Sequence, residues 1–132
     1  MKYFTIAEFV RSETADRRAI DNRLPKELLP NVQELVNNVL DPLREAYGKP
    51  ITVTSGFRCP ALNKAVGGSA TSQHMSGQAA DITAGSREEN RRLFYLVQEL
   101  GLPFDQLIDE KNYSWIHVSY RVGINRNQVL AL

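Results

Sequence analysis

The sequence predicts an α+β domain, with helices packed on a small, largely antiparallel sheet. Three observations carry that prediction. Apolar residues recur at three- and four-residue steps from Leu28 to Leu43, the spacing of one buried helical stripe. After Gly48 the period changes to alternation, over 51–54, 78–83 and 115–120. Helical patterns come first and three or four strands later, mostly with short links, as in folds that gather helices on one side of an antiparallel sheet.

Taken in order, residues 5–12 form a short helix, because Thr5 and Glu8 have capping-box spacing and Ile6, Phe9 and Val10 give one apolar face. The polar stretch 12–25 is a connector with room for a helical turn, and it ends at Pro25. Residues 26–47 make the long helix. Its stripe is Leu28, Val32, Leu35, Val36, Val39, Leu40 and Leu43, and Pro42 should kink its last turns by removing a backbone donor. Gly48 and Pro50 end it. A strand over 51–54 leads into Ser55-Gly56-Phe57-Arg58, and Pro60 opens a short helix that Gly67-Gly68 breaks. Residues 69–76 are a polar loop, and Gly77 permits a sharp turn into a strand over 78–83. Alternation puts Ala80 and Ile82 on one face of that strand and Asp81 on the other. Ser86 and Glu89 form a second capping box, opening a helix to about Leu100 with Leu93, Leu96, Val97 and Leu100 inward. Strands over 104–110 and 115–120 flank the turn Lys111-Asn112-Tyr113-Ser114, a hairpin. Residues 125–132 read as a last short strand or a tail.

A chain of 132 residues is one domain with one core. Its formal net charge of +1, without a basic block, argues against nucleic acid as a partner, since phosphate binding needs clustered Lys and Arg. Cys59 is the only cysteine, so no intrachain disulfide forms. No apolar run approaches the roughly 20 residues of a membrane span, so no membrane insertion is expected. The N-terminal stretch lacks the apolar run of a secretory signal, which predicts synthesis in the cytoplasm. A monomer is expected.

The chemistry-bearing residues cluster between Ser55 and Asp81. His74 and His117 are the only histidines, and Asp81 follows His74 by seven residues. Two imidazoles and one carboxylate with an open position make a catalytic zinc site. In the last hairpin strand Ile116, Val118 and Tyr120 share the core face, which leaves Trp115, His117 and Ser119 toward a cleft. Taken singly, His74 also reads as a loop residue and His117 as a hydrogen-bonded sheet residue. Cys59 and Met75 are read as packing residues and not as soft metal ligands.

The run from Ser55 to Ile82, followed by Gln106-Leu107-Ile108-Asp109-Glu110 and Trp115-Ile116-His117, resembles the zinc D-Ala-D-Ala carboxypeptidases, peptidase family M15, and most of all their short branch in bacteria and phages. The family pattern is S-G-x-R, then S-x-H-x-x-G-x-A-x-D, then W-x-H. It stands here as Ser55 to Arg58, Ser72 to Asp81 and Trp115 to His117. The resemblance covers roughly residues 25–120 and implies the small α+β fold shared with the Hedgehog signalling domain.

Carried over position by position, the resemblance implies one zinc ion held by His74, Asp81 and His117. It implies that Arg58 holds a substrate carboxylate or polarises the scissile carbonyl, a task suited to a guanidinium fork. Ser72 hydrogen-bonds substrate or orients its loop, and Trp115 is the second candidate substrate-binding residue. Many family members place an acid three residues before the last histidine; Ser114 stands there instead and cannot act as a base. Glu110 is the substitute, with Asp109 as competitor, since on a strand only one of the two can face the cleft. The implied function is hydrolysis of D-amino-acid-containing bonds in peptidoglycan stem peptides, as carboxypeptidase or endopeptidase. The protein would reach the wall by host lysis or a separate export route. The alternatives are a zinc-keeping domain that binds without catalysis and a phage structural or assembly domain.

Overall fold

The computed structural model describes residues 1–132. Thr5 caps helix α1 (Ile6–Val10), and the reciprocal bonds with Glu8 complete the capping box. The connector contains a second short helix, α2 (Glu13–Arg17), capped by Ser12. The long apolar stripe then forms one continuous helical rod in segments. A 3-10 turn at Lys26–Leu28 leads into α3 (Leu29–Leu35), a π turn spans Val36–Leu40, and α4 (Asp41–Tyr47) ends at Gly48 with φ 77°. Pro42 explains the π turn. Its ring would press on the carbonyl of Asn38, and a wider turn, in which the Asp41 N–H reaches back to Val36 O, relieves that contact. The proline is thus accommodated upstream of the point where the sequence places a kink.

Strand β1 (Thr52–Ser55) feeds the loop that carries Gly56 to Arg58. Helix α5 (Pro60–Ala65) has Cys59 at its N-cap, its sulfur accepting the Leu62 N–H. The expected polar loop contains a 3-10 turn at Gln73–Ser76, ended by Gly77 at φ 72°. Then follow β2 (Ala79–Thr83), α6 (Arg87–Glu99), β3 (Gln106–Glu110) and β4 (Trp115–Ser119). The C-terminal residues form a strand, β5 (Gln128–Ala131). The sheet runs in the order β1-β2-β4-β3-β5, antiparallel except for the β3–β5 pair. β3 starts two residues later than its sequence pattern; at its entry the Asp105 N–H donates to Ser119 O and the Gln106 N–H to the Ser119 hydroxyl.

Helices α3, α4 and α6 cover one face of this sheet. Val32, Leu35, Val36, Val39, Leu40 and Leu43 are fully buried against Val53, Ala80, Ile82, Leu107, Ile116 and Val118. Truncating any of the leucines to alanine should cost about 2–5 kcal/mol. In α6, Leu93 and Val97 are buried as their spacing predicts and Phe94 joins them, while Leu100 is exposed beyond the helix end. Period-two alternation then forces Asp81, His117, Glu110 and Trp115 onto the opposite face. No helix is long and apolar enough to cross a membrane.

The β3–β4 hairpin closes through Lys111, Asn112 and Tyr113, all with positive φ (48°, 55° and 60°). Asp109 Oδ1 accepts the Tyr113 N–H at 2.5 Å, and buried Asn90 donates to the carbonyls of Tyr113 and Ser114.

Candidate metal centre

The outer face of the sheet and the loop over 55–76 form two walls of a polar cleft of about 510 Å³. On the sheet wall the register sets Asp81 of β2 beside His117 of β4, and His117 beside Ile108 of β3. Glu110 pairs with Trp115 one step along the same face. These side chains converge because three neighbouring strands present the same parity of residue there.

On the loop wall His74 is 2% exposed and is gripped at three points. Its ring Nδ1 lies 2.6 Å from Gly56 O, its carbonyl accepts the Arg58 N–H at 3.1 Å, and its own N–H donates to Ser72 Oγ. A carbonyl only accepts, so Nδ1 carries the ring proton and Nε2 keeps a free lone pair. That Nε2 faces Asp81 Oδ1 at 3.3 Å. The loop itself is braced by the N-terminal segment. Phe57 N–H donates to Phe9 O at 2.7 Å, and Asn22 donates to the carbonyls of Val10 and Phe57 while accepting the Cys59 N–H. Gly56 must be glycine, because a Cβ there would lie 2.6 Å from Phe9 O.

Asp81 Oδ1 is 3.0 Å from His117 Nδ1, and the donor atoms of His74, Asp81 and His117 all lie within 4.8 Å of one another. A tetrahedral shell with bonds near 2.1 Å separates its donor atoms by about 3.4 Å. The two imidazole-to-carboxylate distances match that spacing, and two nitrogens with one oxygen are a donor set that zinc favours. Burial opposes ionisation of Asp81, but the imidazoles of His117 and His74 beside it outweigh this and hold the carboxyl well below its usual range.

Around this cluster stand the other residues singled out from sequence. Burial raises the Glu110 carboxyl above its ordinary value, and the charge of Asp81 adds to the rise. Glu110 lines the cleft, whereas Asp109 faces away and caps the hairpin turn. Arg58 lines the cleft with its Nη2 3.4 Å from Ser72 Oγ, and its buried Nε has no partner. Burial lowers its pKa, against the pull of Asp81. Ser72 therefore orients both His74 and Arg58. Trp115 lines the cleft with the Lys111 ammonium 5.7 Å from its ring centre. Ser114 is absent from the cleft lining; its hydroxyl donates to Lys111 O within the turn. Cys59 stands outside the donor cluster.

Sequence reading passed over the asparagine brace at Asn22, and Gln73, Gln106 and Arg126 in the lining. Their partners lie at sequence separations of 12 to 37 residues, and no short motif marks such pairs.

An α+β scaffold that brings two imidazoles and one carboxylate to the floor of an open polar cleft belongs to the mononuclear metalloproteins. Sequence comparison refines that class. The profile of the family described as Peptidase M15 matches residues 2–119, and the chain belongs to this family. It is also 53% identical over 49 residues to a protein of Streptomyces albus G described as zinc D-Ala-D-Ala carboxypeptidase. That alignment spans 36% of this chain and 19% of the relative. The description of that relative names zinc, a metal that the donor set of this cleft fits.

Proposed function

We propose that the protein is a zinc metallopeptidase that hydrolyses D-amino-acid-containing peptide bonds of peptidoglycan stem peptides. The observation that carries this reading is the convergence of His74, Asp81 and His117 in one cleft with a carboxylate, Glu110, and a guanidinium, Arg58. His74 through Nε2, Asp81 through Oδ1 and His117 through Nδ1 would hold the ion. When bound, zinc supplies Lewis acidity, which polarises a carbonyl and acidifies water. Glu110 takes a proton from the attacking water on its carboxylate and delivers it to the leaving amine. Its raised pKa suits the first half of that task, since a more basic carboxylate takes up the water's proton more readily. Arg58 donates to the substrate's carboxylate or scissile carbonyl through its guanidinium, whose Nε–H has no partner within the chain. Trp115 offers an apolar face to the peptide.

The test is mass spectrometry of muropeptides after incubation with zinc-loaded protein. The expected result is a product shorter by one residue or split at a cross-link, absent after chelation. A second reading, a domain that keeps zinc without turnover, is favoured by Ser114, whose position in many relatives holds an acid. Intact muropeptides at every pH tested would establish it.

A further inference from the structure

The cleft extends past the metal cluster in a direction the reaction does not use. β3 runs from Gln106 to Glu110, and His117 stands opposite Ile108, midway along it. Glu110 and Trp115 occupy one end. At the other end lie Gln106, Gln73 and Arg126. Arg126 comes from the segment between β4 and β5, and its guanidinium is fixed. Nε donates to Asp105 Oδ1 at 3.1 Å and Nη2 to Asp105 Oδ2 at 2.7 Å, while its main-chain N–H also donates to Oδ1 at 3.0 Å. Asp105 is fully buried, and the Arg126 side chain is half exposed.

Gln73 completes the arrangement. Its Nε2 donates to Asp105 Oδ2 at 2.9 Å, and a carboxylate only accepts, so the amide orientation is set. Its Oε1 is buried and has no partner. The fork that holds Asp105 uses Nε and Nη2, and Nη1 makes no hydrogen bond within the chain. A buried acceptor and a pre-oriented cationic donor therefore stand together at this end of the cleft. Left unpaired, such groups are costly; a ligand carrying an N–H and a carboxylate would satisfy both.

Resting on the peptidase reading above, we propose that Arg126 is a specificity-determining residue. With Gln73 it binds a side-chain carboxylate on the residue that precedes the two residues flanking the scissile amide. The span fits. Strand residues advance roughly 3.3 Å each, so Asp105 and Gln106 lie about 7–10 Å along β3 from the level of His117, two to three residues of an extended peptide. Asp105 and Gln73 are positioning residues that aim the guanidinium. The carboxylate of Glu110 repels an anionic side chain from its own end of the cleft and favours its placement at the Arg126 end.

The test uses two synthetic tripeptides ending in D-Ala-D-Ala, whose first residue carries either a free side-chain carboxylate or the corresponding carboxamide. Trp115 is the sole tryptophan and lines the same cleft, so its fluorescence reports binding to the zinc-loaded protein before turnover. The expected result is about tenfold tighter binding of the carboxylate peptide, within the range of one charge-assisted hydrogen bond. Arg126→Gln should bring the two peptides within twofold of each other, chiefly by weakening the carboxylate peptide, and Arg126→Lys should retain part of the preference. Equal binding by the native protein overturns the proposal. So does an undiminished preference in Arg126→Gln, or an equal loss for both peptides, which marks a purely structural arginine. If neither peptide is cleaved, the peptidase reading fails, while the binding ratio still decides the role of Arg126.

Discussion

The sheet wall of the cleft holds Asp81, His117 and Glu110 by strand ladders, so their convergence follows from register and parity. The loop wall holds His74 and Arg58 by single contacts that reach far along the chain, to Phe9 and Asn22. On the first wall a side chain can change while the backbone stays put, because every neighbouring rung supports it. On the second wall the backbone positions are themselves the delicate part. Chemistry and fold should therefore separate on the sheet wall and fail together on the loop wall.

The largest expected effect tests the first half of that contrast. Glu110→Gln should lower turnover by a hundred- to ten-thousandfold, about 3–5 kcal/mol of activation free energy, with zinc content and melting temperature unchanged. Asp109→Asn should spare turnover by comparison, since that carboxylate caps the hairpin and not the cleft. Loss of zinc or fold in Glu110→Gln would erase the contrast.

Gly56→Ala tests the second half. The new Cβ meets backbone, the carbonyl of Phe9, which cannot swing aside as a side chain would. Urea denaturation should show a loss of about 3 kcal/mol. Because Gly56 O holds the His74 ring, chelator competition should also show zinc affinity falling at least about tenfold. A stable variant with native zinc affinity would show that the loop wall adapts as readily as the sheet wall.

A smaller effect is expected at the junction of the walls, where Gln73 and Arg126 meet Asp105. The Arg126 guanidinium, outweighing the cost of burial, lowers the Asp105 carboxyl to about 2 from an ordinary 3.8. A folded-state pKa below the unfolded one stabilises above the unfolded value and ceases to do so as pH falls through the folded one. The native protein should thus lose up to about 2 kcal/mol between pH 4 and 2 through this carboxyl, and less because Arg126 is half exposed. Asp105→Asn should flatten that part of the pH–stability curve; an unchanged curve would remove Asp105 from the account. The smallest effect is expected for Ser114→Ala. It should alter stability by about 0.5 kcal/mol or less and leave turnover unchanged, since Ser114 is a surface turn residue away from the cleft.

The same contrast separates what the sequence discloses from what it conceals. Alternation through Ala80-Asp81-Ile82 and Trp115-Ile116-His117 announces which residues face the core, and the sheet obeys it. The α+β class, the Thr5–Glu8 capping box, the Ser86 N-cap and the hairpin were legible for the same reason, since each rests on neighbours a few residues apart. The reciprocal bond expected of Glu89 is absent, its carboxylate pairing instead with Tyr47, Lys49 and Arg92. The convergence of His74 with the other two donors needed the resemblance, because a loop carries no period. The asparagine brace, the π turn before Pro42 and the Asp105–Arg126 pair were not legible. Each depends on which distant groups meet, and residue types alone do not state that. The parallel pairing of β5 with β3 is of the same kind, as Gln128 to Ala131 alternates too weakly to name a partner.

The hairpin tip bears on how such a domain can diversify. Lys111, Asn112 and Tyr113 make one left-handed turn in a chain of L-residues, which costs roughly 1–2 kcal/mol per residue and less for asparagine. A hairpin closed in this way does not accept insertions one residue at a time. A slip of one residue would send Trp115 and His117 to the opposite face of the sheet. Between α5 and the 3-10 turn, by contrast, residues 67–71 join no ladder, and Gly67, Gly68, Ser69 and Thr71 border the same cleft. Lengthening there would reshape the opening without disturbing the donors. New substrate preferences are therefore open to this fold through growth of the loop wall, while the sheet wall is constrained to vary by substitution alone.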